Sequence, residues 1–245
     1  MRRITTGIAG LDKTINGGIP EGASVLITGS CGTGKSLLSL QYLVSGALKG
    51  EPGIYVTFEE SKDKIIEHAR GFGWDIPPLE KKGLIDIYVV ETDDVGEIPE
   101  DLKARVSKAK AKRLVIDSLT TMMEHGVIFR SQISRELSMM QPHPGTMKFP
   151  SSGSDITRKD IYHLIGQINR IGTTSLLISE VAEKSTYLSR DTISEFAVDG
   201  VILLEVNTVG GSPERLISVK KMRGTPVDLT MSLMKFGTTG IEIEE

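Results

Sequence analysis

The chain has 245 residues, 39% of them hydrophobic and 25% charged, enough apolar material for a sizeable core. Its formal net charge of −3 gives no whole-chain case for nucleic acid or an anionic membrane as partner. The one cysteine, Cys31, excludes an intramolecular disulfide framework and fits a reducing cytosol. The opening residues, MRRITTGIAGLD, carry no long apolar run, and no segment reaches 18 uninterrupted apolar residues. These features predict a cytoplasmic protein, retained whole and not inserted in a membrane.

In chain order, SVLIT (24–28) reads as a buried strand that runs into a glycine-rich turn. KSLLSLQYLVSGALKG follows, with Leu40, Leu43, Val44 and Ala47 spaced i, i+3, i+4, i+7 as in an amphipathic helix, ended by Gly50 and Pro52. GIYVTF (53–58) is the next strand and SKDKIIEHARGFG the next helix. LIDIYVV (84–90), helical PEDLKARVSKAKAK (99–112), strand RLVID (113–117), helical DIYHLIGQINRIG (160–172) and strand TSLLISE (174–180) continue the alternation. Such alternation predicts an α/β fold, a mostly parallel sheet covered by helices on both faces. After residue 198, DGVILLEVN, RLISVKKM and IEIE follow without helices and predict C-terminal antiparallel strands that extend the sheet. No composition break divides the chain, so residues 1–245 are expected to form one domain.

Two stretches stand apart. KARVSKAKAKR (103–113) has six basic residues and no acid, and reads as a solvated helix face in preference to an anion-binding one. The stretch 122–157 is long and, from Gln141, rich in Pro, Gly and Ser; it predicts a loop insertion at about 124–157.

GSCGTGKS (Gly29, Ser30, Cys31, Gly32, Thr33, Gly34, Lys35, Ser36) fits the phosphate-binding pattern G-x-x-x-x-G-K-[ST] in full. Its glycines let successive backbone N–H groups curl around a phosphate, and the following helix points its positive end at the same group. Lys35 is placed for the terminal phosphates and the Ser36 hydroxyl for Mg²⁺. The strand before and the amphipathic helix after supply the context this motif needs, so a nucleoside triphosphate is the expected ligand. Asp117, ending the buried strand RLVID, is the expected second Mg²⁺ residue. Glu59 and Glu60 end IYVTFEES; on a regular strand they would face opposite sides. His68, His125, His143 and His163 show no metal-ligand spacing.

These residues resemble the KaiC-type domain of the KaiC/RadA branch of RecA-like P-loop ATPases. The resemblance is carried by TGIAGLD…GGIPEG before the phosphate loop, by EPGIYVTFEES with FGWD, and by VIDSLT, SLLISE, EFAVDGVILL and KKMRGT. It implies a Mg²⁺-dependent ATPase in which Glu59 and Glu60 orient the attacking water, Lys35 and Asp117 completing the catalytic set. Between the two glutamates the sequence does not decide, with a slight preference for Glu60. Ser179 and Glu180, ending SLLISE, are the corresponding candidate sensor residues. Lys221 and Arg223 match the residues that reach the neighbouring subunit's nucleotide, which implies a homohexamer with sites between subunits.

Two departures bear on the activity. Glu195-Phe196 stands where the self-phosphorylating half of such proteins carries its Ser-Thr acceptor, so autokinase activity is not expected. Val227 stands where a histidine often follows the KMRG motif. The lead expectation is a slow regulatory ring ATPase using ATP and Mg²⁺. The alternatives are a RadA-like DNA-repair accessory that binds single-stranded DNA under ATP control, and a signalling or assembly module with negligible turnover. Nucleic acid has weak support: five basic residues meet four acidic ones over 124–160, where a backbone-tracking groove should be strongly basic. A protein client, of unknown identity, is the other partner expectation.

Overall fold

The computed structural model describes residues 1–90, 98–124, 147–148, 155–156, 158–183, 185–209 and 212–244. The N-terminal part runs β1 (Arg3–Ile4), α1 (Ala9–Thr14), β2 (Ile19–Pro20), β3 (Ser24–Gly29), α2 (Lys35–Leu48) and β4 (Gly53–Thr57). α3 (Lys62–Gly71), α4 (Ile76–Lys81), β5 (Ile85–Val89), α5 (Ile98–Ala109), β6 (Arg113–Asp117) and α6 (Leu119–Glu124) come next. Two short strands, β7 (Met147–Lys148) and β8 (Asp155–Ile156), pair with each other. The remainder of the expected insertion at 124–157 lies outside the described residues. α7 (Arg158–Ile171), β9 (Thr174–Glu180), α8 (Ser194–Ala197), β10 (Gly200–Val209), β11 (Ser212–Met222), β12 (Ser232–Gly237) and β13 (Gly240–Ile243) complete the chain.

One nine-stranded sheet carries the fold, in the order β13-β12-β11-β10-β3-β9-β6-β4-β5. From β10 to β5 every pairing is parallel; from β10 to β13 every pairing is antiparallel. The expected α/β architecture with antiparallel C-terminal strands is therefore the one observed. Alternate residues of each strand enter opposite layers. Val25, Ile27 and Val115 join a core with Leu38, Leu43, Ile65 and Ile76 from α2, α3 and α4. Leu26, Leu114 and Ile116 join another with Leu102, Val106, Met122, Leu164 and Ile168 from α5, α6 and α7. Both faces are buried, which is why the central strands read as continuous apolar runs.

Three local readings change. The helix expected over 99–112 stops at Ala109, because Lys110 takes φ 51° and the Ala111 N–H reaches back to the Val106 carbonyl at 3.0 Å. That 6→1 bond closes a left-handed C-terminal cap. Arg113, counted within a solvated basic face, is instead wholly buried at the start of β6. Its guanidinium binds Glu51 (2.6 Å) and the carbonyls of Thr5 and Tyr42 (2.9 and 2.7 Å), and lies over the Tyr42 ring. Finally, β4 ends at Thr57, and the N–H groups of Glu59 and Glu60 turn back to the Thr57 hydroxyl at 3.4 and 3.2 Å. Strand alternation thus no longer governs the two glutamates.

Candidate functional site: a cleft at the carboxyl ends of the parallel strands

β3 is buried along its whole length and delivers the chain to the glycine-rich turn between β10 and β9. Gly32 (φ 75°) and Gly34 (φ 101°) hold left-handed conformations that side-chain-bearing residues rarely adopt. Gly34 is the N-cap of α2, so the turn leads directly into that helix and leaves its first amides facing outward. Lys35 is 7% exposed, and its ammonium rests on the Ser30 carbonyl at 2.8 Å. Burial lowers its pKa, and the nearby carboxylates of Glu180, Asp117 and Glu59 oppose that shift.

A cleft of about 320 Å³ opens over this turn. Cys31, Gly32, Gly34, Lys35, Ser36, Glu59, Glu60, Asp117 and Glu180 line it, together with Thr57, Leu37, Ile178 and Phe236. Adjacency within the sheet explains the gathering: Thr57 pairs with Asp117 across β4 and β6, and Gly29 with Glu180 across β3 and β9. Each acidic residue therefore stands at the carboxyl end of its strand or just beyond it, where open α/β sheets bind ligands.

The carboxylates are held differently. Burial raises the pKa of Asp117, against the hydrogen bond it accepts from Tyr55 and the influence of Ser36 beside it. The Tyr55 hydroxyl donates to Asp117 Oδ2 at 2.5 Å, and burial followed by Asp117 pushes the phenol well above its ordinary value. Glu59 accepts a hydrogen bond from the Thr121 hydroxyl on α6. Glu60 also lines the cleft and lies 3.7 Å from His68 Nδ1 on α3. Of the two, Glu59 bears on both Lys35 and Asp117, and precedes Glu60 in its effect on Asp117. At the end of β9, the Glu180 N–H donates to the Thr120 hydroxyl (3.0 Å), and Ser179 Oγ is 3.5 Å from that hydroxyl.

Lys221 and Arg223 are not brought to this cleft. Lys221 pairs with Val201, next to Gly200, which pairs with Val25 near the start of β3. The phosphate loop leaves the other end of β3, about 13 Å away at ~3.3 Å per residue. Lys221 donates to the carbonyls of Glu195, Phe196 and Val198 (3.2, 3.4 and 2.6 Å), and Arg223 to that of Phe196 (3.0 Å). Both cations cap the end of α8, and Arg223 also faces Asp199 at 3.4 Å.

Sequence reading passed over Tyr55, Thr121 and Phe236. Tyr55 lies two residues before Thr57 on the same strand face, so pairing β4 with β6 would have pointed to it. Thr121 and Phe236 had no comparable signal.

Sheet order and cleft together define a RecA-like P-loop domain. The family model described as "ATPase: KaiC" matches residues 4–147 and 145–245, and the chain belongs to this family. The UPF0273 protein of Thermotoga maritima is 33% identical over 99% of this chain and 96% of its own length. The circadian clock oscillator protein KaiC of Synechococcus elongatus is 30% identical over 91% of this chain, which spans only 40% of that protein. A crystal structure of a KaiC-like protein from Pyrococcus horikoshii superposes with a TM-score of 0.80 at 31% identity, covering 100% of this chain and 99% of the other. Among the described residues no helix is long and apolar enough to cross a membrane.

Proposed function

We propose that the protein is a slow regulatory ATPase, one domain per chain, that assembles into a ring with its active sites between subunits. One observation carries this reading: the cleft lines up a phosphate loop, Lys35, Ser36, Asp117 and two glutamates, while Lys221 and Arg223, at the end of β11, sit level with the opposite, amino-terminal ends of β10 and β3. A chain cannot use those cations on its own nucleotide, but a neighbour stacked end to face can.

The donor set fits Mg²⁺, which takes hard oxygen ligands and keeps several waters. Ser36 and Asp117 offer a hydroxyl and a carboxylate that line the same cleft. Bound with ATP, the ion would neutralise charge on the terminal phosphates. The chain's own residues do the rest. The loop amides and Lys35 hold the phosphates, and Glu59 orients a water toward the terminal phosphorus. That water oxygen bonds to phosphorus, the bond to the bridging oxygen breaks, and ADP and inorganic phosphate leave. Hydrolysis of this kind needs little covalent help and depends on position and charge. Glu60, turned toward His68, supports the strand end. Ser179 and Glu180 connect the cleft to α6 through Thr120 and are the proposed sensors.

The test mixes Lys35→Ala subunits with Arg223→Ala subunits. Each alone is expected to be nearly inactive, and mixed rings should regain activity at interfaces that join an intact cleft to an intact arginine. Confirmed mixed assembly without recovery would remove the in-trans arginine.

A further inference from the structure

Glu59 is an exposed residue on a turn, with three rotatable side-chain bonds and other carboxylates nearby. Nothing in that setting would hold it in one place. Thr121, in the first turn of α6, does so by donating its hydroxyl proton to Glu59 Oε1.

The proton count around Thr121 closes. An ionised carboxylate only accepts, so the single Thr121 hydroxyl proton points to Glu59. Ser118 Oγ, 2.7 Å from Thr121 Oγ1, must then donate its own proton to Thr121. The Ser118 oxygen in turn accepts the Thr121 backbone N–H at 3.0 Å, as an N-cap does. Each hydroxyl is used once as donor and once as acceptor, and the chain of bonds runs in one direction, from Ser118 to Thr121 to Glu59. Ser118 follows Asp117 directly, so the strand that carries Asp117 also fixes the orientation of Glu59. On the adjoining residue, Thr120 accepts from the Glu180 N–H and ties α6 to the far wall of the cleft.

We propose that Thr121 is a positioning residue for ATP hydrolysis: its hydroxyl holds Glu59 Oε1 so that Oε2 is presented to the attacking water. The inference deepens the hydrolytic reading above and rests on it. It assigns Thr121 no part in nucleotide binding, because the hydroxyl spends its proton on Glu59 and Thr121 does not line the cleft.

The experiment compares turnover and nucleotide affinity in Thr121→Val, Thr121→Ser, Glu59→Ala and the Thr121→Val/Glu59→Ala pair. Valine keeps the shape of threonine and removes the donor. Thr121→Val is expected to lose about 10- to 100-fold in kcat, the range that misplacement of a reacting group produces, with the dissociation constant of ATP unchanged. Thr121→Ser, which keeps the hydroxyl, should restore most of the rate. In the Glu59→Ala background, Thr121→Val should cost nothing further, since the two groups act as one unit. An equal loss in both backgrounds would mean a structural role only and would overturn the proposal, as would a Thr121→Val rate equal to wild type. A wild-type rate no higher than that of Lys35→Ala would overturn the hydrolytic reading itself, and the proposal with it.

Discussion

At the carboxyl ends of the parallel strands, Lys35 faces Glu180, Asp117 and Glu59 in an open cleft, with Glu60 alongside. At the amino ends of the same strands, charges are matched within the chain. Arg113 is buried against Glu51 and two carbonyls, and Asp199 accepts from the Ser24 N–H while facing Arg223. The first arrangement gathers four carboxylates around Lys35, with Arg215 at the rim on the Gly32 carbonyl and the Phe236 ring, a state that a ligand bearing Mg²⁺ would relieve. The second is complete without a ligand, except that Lys221 rests on carbonyls at the end of α8 and Arg223 divides its bonds between one of them and Asp199. The buried ion pair and the open cleft thus lie at opposite ends of one sheet.

The strongest way to break this comparison is to remove Arg223. Its side chain is half exposed and its partners are the Phe196 carbonyl and a part-exposed Asp199, so Arg223→Ala should leave folding nearly intact. If it completes a neighbour's site, turnover falls by about 10³- to 10⁵-fold, the range for an arginine supplied in trans. Nucleotide affinity of the mutant's own cleft, read by titration with a fluorescent ATP analogue, stays close to wild type. Comparable losses of affinity and rate would indicate that the two ends are not functionally separate.

Arg113→Met makes the complementary break. It removes the donor for the buried Tyr42 carbonyl and the part-buried Thr5 carbonyl and leaves Glu51 without its partner. The expected cost is about 3 kcal/mol of stability, at the low end for a buried pair because Glu51 is partly exposed. Urea denaturation monitored by circular dichroism checks it, and ATP hydrolysis below the transition should persist.

How far each end was legible follows from how its residues come together. The phosphate loop is contiguous in the chain, so eight successive residues announced it. Asp117 was legible because a buried strand ends on it. The contacts that orient those groups were not, because they join elements far apart in the chain. Tyr55 and Asp117 are 62 residues apart in sequence, and so are Glu59 and Thr121. Arg113 was misread for the opposite reason: its sequence neighbours are surface lysines, while its true surroundings, Glu51, Tyr42 and Thr5, lie far away along the chain. β12 also escaped notice, since SLMKFG on the outer part of the sheet buries only Met234 and shows no clean alternation.

Tyr55→Phe sharpens the account of the cleft. It deletes the hydroxyl that donates to Asp117 Oδ2 and leaves the ring packed in place. A hydrogen bond to a charged group is worth roughly 1.5–3 kcal/mol, so the gain in nucleotide affinity that Mg²⁺ confers should shrink about tenfold. Affinity measured in EDTA should not change. An equal loss with and without Mg²⁺ would mean that Tyr55 shapes the pocket as a whole and does not orient Asp117.

Glu60→Gln is the smallest change and the most pointed. Glu60 raises the pKa of both Asp117 and Tyr55, so its charge opposes the ionised state of the residue beside it. Removing that charge relieves repulsion in the cleft and gives up a 3.7 Å contact to His68 between two side chains exposed to water. Exposed pairs contribute little once solvent screening is counted, so the relief should outweigh the lost contact by a small margin. The nucleotide-free protein should therefore become slightly more stable to urea, while Arg113→Met becomes less so. Opposite signs for two substitutions that each remove one charge would follow directly from an end of the sheet that waits for a ligand and an end that does not. A destabilised Glu60→Gln would mean that the cleft, too, is electrostatically complete on its own.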